Sequence, residues 1–216
     1  MSDKPRFEAQ FEPTGETRQV REGRVYMDTI NAVFEQFSKD HRSMARVVQL
    51  IDHEAHLLVK GSEVDFLLLG DCFGYIKSYP DQFHHPFEDI MFRRLRQRSS
   101  ESAADIQRLL LEHQELSQLS AKLIGQLAAA GAGQPVDRAT LAQGLTEFAS
   151  LNVTHMRFEE ERAFPAARRH LSSSDWKDVH TVMENMHAEA GPSMPTEESF
   201  SHLYQRIQDE AALHDA

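Results

Sequence analysis

Apolar residues recur at steps of three and four along most of the chain, the spacing that lines one face of an α-helix. The first stripe predicts a helix over residues 26–59, ended by Gly61. Its core-facing positions are Ile30, Val33, Phe34, Phe37, His41, Met44, Val48 and Ile51. One of these is a histidine, so this apolar face carries a polar group near its middle.

A second stripe predicts a helix over residues 63–97, and it includes the polar positions His84 and Glu88. Pro80 and Pro86 interrupt this helix, and an interior proline costs about 3 kcal/mol and kinks the axis. We expect a bent but continuous helix, because the apolar stripe runs through both prolines. The alternative is a break near Tyr79.

Two further stripes predict helices over residues 101–130 and from Asp137 to about Pro165, with Asp137 as the capping residue. The first contains His113, and the second contains His155 and Glu159. Four long amphipathic helices with short connections predict an all-α fold, an antiparallel up-and-down four-helix bundle. We assign this bundle to residues 24–167.

The segments on either side of the bundle have a different composition. Residues 1–23 are polar and contain Pro5, Pro13 and Gly15, which predicts a flexible N-terminal arm. Residues 168–216 predict a C-terminal extension with short helices over 172–186 and 196–208. We expect it to pack on the bundle through Trp176.

The net charge and the cysteine content exclude several classes of partner and site. The 216 residues include 34 acidic and 23 basic side chains, a formal net charge of -11 that argues against nucleic acid and anionic membranes as partners. Cys72 is the one cysteine, which excludes an intrachain disulfide and a cysteine-based cluster. Residues 1–5 contain no apolar segment, so we expect no signal peptide and a cytoplasmic location.

Two copies of one pattern carry the candidate chemistry: a histidine followed four residues later by a glutamate, which stacks both side chains one helical turn apart. With one histidine on each of the other two helices, four imidazoles and two carboxylates face one point. Isolated core histidines are more often structural, but a buried unpaired glutamate is very costly. The six candidate metal ligands are His41, His84, Glu88, His113, His155 and Glu159.

This ligand set suits a pair of first-row metal ions. We assign His41 and His84 to one ion and His113 and His155 to the other, with both glutamates as bridges. Imidazole and carboxylate suit iron, manganese and zinc alike, and an oxo or hydroxo bridge and water could complete the shell of each ion. We expect His85 to point away from the centre, as a supporting or surface residue. We expect Asp89, Glu160 and Glu161 to be solvated acids near the site.

The ordered ligands on four successive helices, and the local segments 79–86 and 159–165, resemble the hemerythrin-like, or HHE cation-binding, domain over residues 26–165. Oxygen-carrying hemerythrins have a second histidine where this chain has Ser117, and an aspartate five residues after the last histidine where it has Glu159 at four. The six-ligand pattern is closer to relatives linked to nitric oxide, iron and redox stress, including iron–sulfur repair proteins.

Three functions follow from this resemblance. The first is a non-enzymatic di-iron protein that binds O2, NO or peroxide for sensing, scavenging or stress response. The second is a di-iron oxidoreductase or an iron donor in iron–sulfur repair. The third is a redox-inert iron- or zinc-binding interaction protein. The small ligand is the expected partner, and a homodimer is possible.

Overall fold

The structure is a computed structural model that describes residues 18–191, 195, 200–201 and 203–206, with side chains described from residue 26 onward. The described residues contain helices and no strand. The α-helices are α1 (Arg18–Val59), α2 (Phe66–Ser78), α3 (His85–Arg98), α4 (Ala103–Gly131), α5 (Arg138–Phe158), α6 (Phe164–His170) and α7 (Ser173–Ala190). Two π-helical segments, Pro80–His84 and Glu159–Ala163, join α2 to α3 and α5 to α6.

Helix α1 begins at Arg18, eight residues before the predicted start at Tyr26. The predicted N-terminal arm therefore overlaps a helix over residues 18–23. Arginine, glutamine and glutamate in this stretch have high helix propensity, and the last proline is Pro13. Residues 1–17 of the predicted arm lie outside the described residues.

The second predicted helix is not one continuous α-helix. Helix α2 ends at Ser78, Tyr79 lies in a turn, and a π-helical segment then leads into α3, so the alternative of a break near Tyr79 is closer to the structure. The carbonyl of Tyr79 accepts from the backbone N–H groups of both Phe83 (2.9 Å) and His84 (3.3 Å), and that of Pro80 accepts from His85. The ring of Pro86 falls in the first turn of α3, where its missing N–H is tolerated. Pro80 thus begins a π-helical segment that keeps the backbone hydrogen-bonded, and Pro86 follows in the first turn of α3.

The predicted all-α bundle is confirmed. Helix α1 packs against α2 and α5, and α4 packs against α2, α3 and α5, which is the neighbour order of an up-and-down bundle. Asp137 caps α5 as predicted, since its carboxylate accepts from the Thr140 N–H. Helix α5 continues through the π-helical segment into α6, beyond Pro165.

Helix α7 packs against α1 and α3. Ser172 and Asp175 form a capping box at its start, and the buried Trp176 lies edge-on to Phe34 of α1, with ring centroids 5.3 Å apart. Of the last predicted helix, over residues 196–208, the structure describes helical residues at 201 and 203–206. The remainder lies outside the described residues.

The apolar core of the bundle is divided in two. One cluster includes Met44, Ile76 and Phe148, and the other includes Phe37, Phe87 and Leu109. The six candidate ligands occupy the layer between these clusters. None of the helices in the described part of the chain is both long and apolar enough to cross a membrane.

Candidate metal centre

The bundle brings all six candidate ligands together in its interior. His84, Glu88 and Glu159 have no exposed surface, and the other three histidines are at most 6% exposed. Their Nε2 atoms face the two carboxylates: His41 lies 3.5 Å from Glu88 and 3.3 Å from Glu159. The same atom of His84 is 3.3 Å from Glu88, and that of His155 is 3.1 Å from Glu159.

Each glutamate faces histidines from both proposed pairs. The Oε2 of Glu159 faces His41, and its Oε1 lies 3.3 Å from His113 and 3.1 Å from His155. The Oε1 of Glu88 faces His41, while its Oε2 lies near His84 and 3.6 Å from His113. Glu159 presents one oxygen to each histidine pair, which is the arrangement of a bridging ligand, and Glu88 faces both pairs through its Oε2.

Several of these atoms are buried and make no hydrogen bond. They are Nε2 of His41, His84 and His155, both oxygens of Glu88, and Oε2 of Glu159. Unsatisfied buried polar atoms are rare and costly, and here they converge on one place. Ligand atoms within 4.8 Å of one another form one group from His41, His84 and Glu88, and another from Glu88, His113, His155 and Glu159. These residues fit a pair of cations that share Glu88.

The opposite nitrogen of each of the four histidines is held by a carboxylate on a neighbouring element. The Nδ1 contacts are His84 with Asp40 at 3.0 Å, His113 with Asp89 at 2.7 Å, His155 with Glu112 at 2.9 Å, and His41 with Glu160 at 2.9 Å. Each acid lies beside a candidate ligand in sequence. The four contacts therefore run around the bundle. They join α1 to the first π-helical segment, α3 to α4, α4 to α5, and the second π-helical segment back to α1.

The sequence did not predict the four carboxylate contacts to the histidines. Glu160 is solvated as expected, with a side chain that is 53% exposed, but it also contacts His41. Asp89 is less solvated than expected, with a side chain that is 21% exposed and lies against His113. A residue next to a ligand on a helix points toward the adjacent helix. The positions of Asp40 before His41 and Glu112 before His113 could therefore have indicated that these acids contact a histidine of another helix. A carboxylate on Nδ1 fixes the ring and leaves Nε2 for a metal.

The carboxylates shift the ionisation of the histidines. Burial by itself lowers the pKa of His41, but Glu159, Glu160 and Glu88 outweigh it and raise the pKa to about 12. Burial also opposes protonation of His113, yet Asp89 and Glu159 raise its pKa to about 10. Burial raises the pKa of Glu159, but His155, His113 and His41 lower it well below its usual value. Without metal, imidazolium groups thus neutralise the buried carboxylates.

The two π-helical segments lie at the site. His84 is the last residue of the first segment, and Glu159 is the first residue of the second. A π-helical turn contains an extra residue, and such turns are common at functional sites. The segment before α3 changes the direction in which the residues after it point.

His85 is the first residue of α3, directly after this segment. The expectation that it points away from the centre is wrong: it is 6% exposed, and its ring stacks on that of His113 with centroids 4.5 Å apart and planes 20° apart. Burial, and then the neighbouring His113, His84 and His155, lower the pKa of His85 well below its ordinary value. The straight-helix geometry used for the prediction omitted the π-helical turn.

A surface cleft leads to this side of the site. Its volume is about 500 Å³, and its lining includes His85, His113, Asp81, Asp89 and Ser117. Ser117 lies one turn after His113, so a small hydroxyl side chain stands where a longer one would fill the cleft. Of the five histidines in this part of the bundle, His85 and His113 are the ones that line the cleft.

Comparisons with known proteins agree with this geometry. The family model described as hemerythrin HHE cation binding domain matches residues 32–167, more than half of the 216 residues. No curated protein and no solved structure matches the chain. The buried histidine and glutamate clusters are those of a metal-binding protein. The chain therefore belongs to the hemerythrin HHE cation-binding family.

Proposed function

We propose that this protein binds two iron ions through His41, His84, Glu88, His113, His155 and Glu159, and that the iron pair binds O2, NO or peroxide in sensing, scavenging or an iron and redox stress response. One observation carries the proposal. Two fully buried glutamates each face imidazoles from both halves of the site. A structural zinc site closes on four ligands around one ion, and it has no use for two shared carboxylates.

The ligand types fit iron, and the coordination positions that they leave open suit a redox-active metal. Imidazole and carboxylate suit iron, manganese and zinc, and a redox-active metal with open positions supplies binding of O2, NO or peroxide. Four histidines and two shared glutamates leave such positions on both ions. In the residues that the structure describes, Cys72 is buried in the core cluster that includes Met44, away from the six ligands. We therefore place binding of small molecules at the metal pair ahead of thiol chemistry.

The four acids, Asp40, Asp89, Glu112 and Glu160, orient the histidines for metal binding. Each carboxylate orients one imidazole and keeps a proton on Nδ1, so Nε2 becomes the metal-binding atom. Because the raised pKa values of His41 and His113 keep these two imidazoles protonated in the metal-free site, loading the site must release protons to solvent.

The test is metal analysis combined with spectroscopy. The protein is reconstituted with ferrous iron without air, freed of excess metal, and assayed for iron per chain. We expect about two iron ions per chain, as two shared carboxylates imply. Oxidation should produce the near-ultraviolet charge-transfer absorption of a coupled ferric pair. An iron content that stays near zero ions per chain after this treatment would contradict the proposal.

The same sample separates the alternative functions. Exposure of the reduced protein to O2, NO and peroxide in turn shows which ligand changes the absorption spectrum. Rapid repeated consumption of peroxide with a reductant would favour an oxidoreductase. Transfer of iron to a chelator or an apo iron–sulfur protein on oxidation would favour an iron donor. A colourless zinc-loaded protein from iron-replete cells would favour the redox-inert alternative.

A further inference from the structure

We infer that Tyr79, Tyr75 and Tyr204 form a path along which single electrons pass from the protein surface to the metal pair. This inference rests on the proposed two-iron function and assigns a redox role to residues outside the metal centre. The path allows the protein to complete the reduction of a peroxide molecule when the metal pair is one electron short.

The path begins at His84, whose Nε2 faces Glu88 in the metal site. Its Nδ1 contacts Oδ2 of Asp40 at 3.0 Å, and Oδ1 of Asp40 accepts from the Tyr79 hydroxyl at 3.0 Å. All three side chains of this series are buried. Burial in a low dielectric strengthens hydrogen-bonded networks of this kind, so one carboxylate couples a metal-binding imidazole to a phenol.

Two further tyrosines continue the path away from the site. The ring of Tyr75 is stacked near that of Tyr79, with centroids 6.3 Å apart and planes 25° apart, and it lies 6.4 Å from the ring of Tyr204. The side chains of Tyr75 and Tyr204 also share a hydrogen bond. Tyr204 is partly exposed, so the path ends where a reductant from solution can reach it.

The buried hydroxyls of the path keep their protons at neutral pH. Burial is the main cause that raises the pKa of Tyr75 and that of Tyr79 above the ordinary value. A protonated phenol gives up an electron readily only when its proton can move to a neighbouring group at the same time. Tyr79 has Asp40 beside its hydroxyl, and Tyr75 has Tyr204. The partly exposed Tyr204 has solvent.

The aromatic rings on the other side of the site lack this property. Those that lead away from His41 belong to Phe164 and Phe34, and Trp176 lies beyond them. A phenylalanine has no hydroxyl proton to release, and its ring holds electrons more tightly than a phenol does. This second series of rings therefore does not pass electrons in single steps, whereas the series from Tyr79 does.

Reduction of one peroxide to two waters breaks the O–O bond and takes two electrons, with two protons from solvent. When only one electron is left at the metal pair, Tyr79 gives the second while its phenolic proton shifts to Asp40. Electrons from Tyr75 and then Tyr204 refill the vacancy, and the proton on Asp40 returns to Tyr79. The net loss is one electron and one proton from the O–H group of Tyr204, which a reductant such as ascorbate restores.

The test traps the radical that remains on Tyr204 when no reductant is present. Ferrous protein is freed of excess metal, and ferricyanide removes one electron per pair. Peroxide and a nitrone spin trap are then added, and mass spectrometry identifies the labelled residue. We expect the adduct on Tyr204 and none on Tyr26, a partly buried tyrosine outside the path. Electron paramagnetic resonance of samples frozen without the trap should show a tyrosyl signal that narrows with ring-deuterated tyrosine.

The decisive variant is Tyr75→Phe, because it preserves a ring, removes the hydroxyl, and lies beyond Tyr79 from the metal ligands. It should load iron like wild type and lose the adduct on Tyr204. Tyr79→Phe should also lose the adduct, and Tyr26→Phe is the matched control that should retain it. Zinc-loaded protein has no electron to exchange and should give no adduct. Circular dichroism and iron per chain verify folding and loading.

The outcomes separate this inference from the proposed function. Protein that binds no iron pair overturns both. An iron-loaded protein that gives no tyrosyl signal, or labels Tyr26 as readily as Tyr204, overturns the electron path alone. So does equal labelling of Tyr204 in wild type and in Tyr75→Phe. Labelling of Tyr204 that requires both iron and the hydroxyl of Tyr75 supports the path.

Discussion

The carboxylate of Asp40 holds the imidazole of His84 through a 3.0 Å contact between Oδ2 and Nδ1, and both side chains are buried. The other oxygen of Asp40 accepts from the Tyr79 hydroxyl at 3.0 Å and from the Gln36 amide at 2.8 Å. Asp40 lies directly before His41 in sequence but acts on a histidine of another helix. Asp40 therefore orients His84, and the next residue, His41, is assigned to the same ion as His84.

Asp40→Asn should weaken metal binding by about 10- to 100-fold while the protein still folds, because an amide can accept from Tyr79 but bears no charge to hold the His84 proton. Chelator competition with Co²⁺ measures the change. Asp28→Asn, an exposed position on the same helix, is the control and should bind like wild type. Equal affinities for the Asp40 variant and wild type would show that this acid has no part in binding.

Glu159→Gln should remove the coupled metal pair. The substitution preserves size but removes the negative charge that His41, His113 and His155 face. We expect iron to fall from about two ions per chain to one or none, with loss of the near-ultraviolet band of the ferric pair. Glu161→Gln, an exposed position in the same π-helical segment, is the control. A Gln variant with two ions and an intact band would contradict the bridging role.

The metal-free protein should lose stability as the pH rises. The pKa of His41 is raised to about 12 and that of His113 to about 10 from 6.5, so their stabilising contribution is complete below pH 6.5 and declines toward those higher values. Bound metal replaces these protons and also stabilises the folded state by mass action. The melting temperature of loaded protein should therefore exceed that of metal-free protein, by a margin that grows between pH 6.5 and 9. A margin that shrinks over this range would oppose the assignment.

The C-terminal helix α7 offers an independent stability test. The Arg98 guanidinium, with Ser172, lowers the pKa of Asp175 to about 2 from 3.8. Because the pKa is lowered, the contribution is present above pH 3.8 and is lost as the pH falls toward 2. Asp175→Asn should cost about 1 kcal/mol in urea unfolding at pH 7, since Arg98 is half exposed and solvent screens the pair.

The control for this prediction is Asp178→Asn on the same helix. Asp178 pairs with Arg94 at 3.1 Å, but both side chains are largely exposed. Exposed pairs contribute little, so this variant should unfold within about 0.5 kcal/mol of wild type. Equal losses for the two variants would show that the buried capping contact at Ser172 adds nothing.

The helical periodicity predicted the bundle because an apolar stripe that repeats every 3.6 residues can be recognised from the local sequence alone. It also predicted that His41, His84, His113 and His155 face the interior, since each lies on such a stripe. The same rule failed at His85, where a π-helical turn changes the residue count per turn. No propensity marks that turn; Pro80 and Pro86 signalled a disturbance, but not its form.

The partners of the histidines were harder to predict for a different reason. Asp40, Asp89, Glu112 and Glu160 lie off the apolar stripes, where a charged residue is ordinarily solvated. Their contacts depend on how far each neighbouring helix is rotated, and this is decided by packing of the whole bundle. In the sequence, each of these acids is marked by its position next to a ligand. Which histidine it contacts can be predicted only when the neighbouring helices are known.

The aromatic rings around His41 give the protein an internal optical reporter. Phe164 stacks on His41 with centroids 5.6 Å apart, Phe34 lies 5.3 Å from Phe164, and Trp176 lies 5.3 Å from Phe34. The sequence contains one tryptophan, so its emission is a single signal from a buried indole a few rings from the metal site. A ferric pair that absorbs in the near ultraviolet would accept its excitation energy, so loading and reduction could be followed by fluorescence in real time without a label.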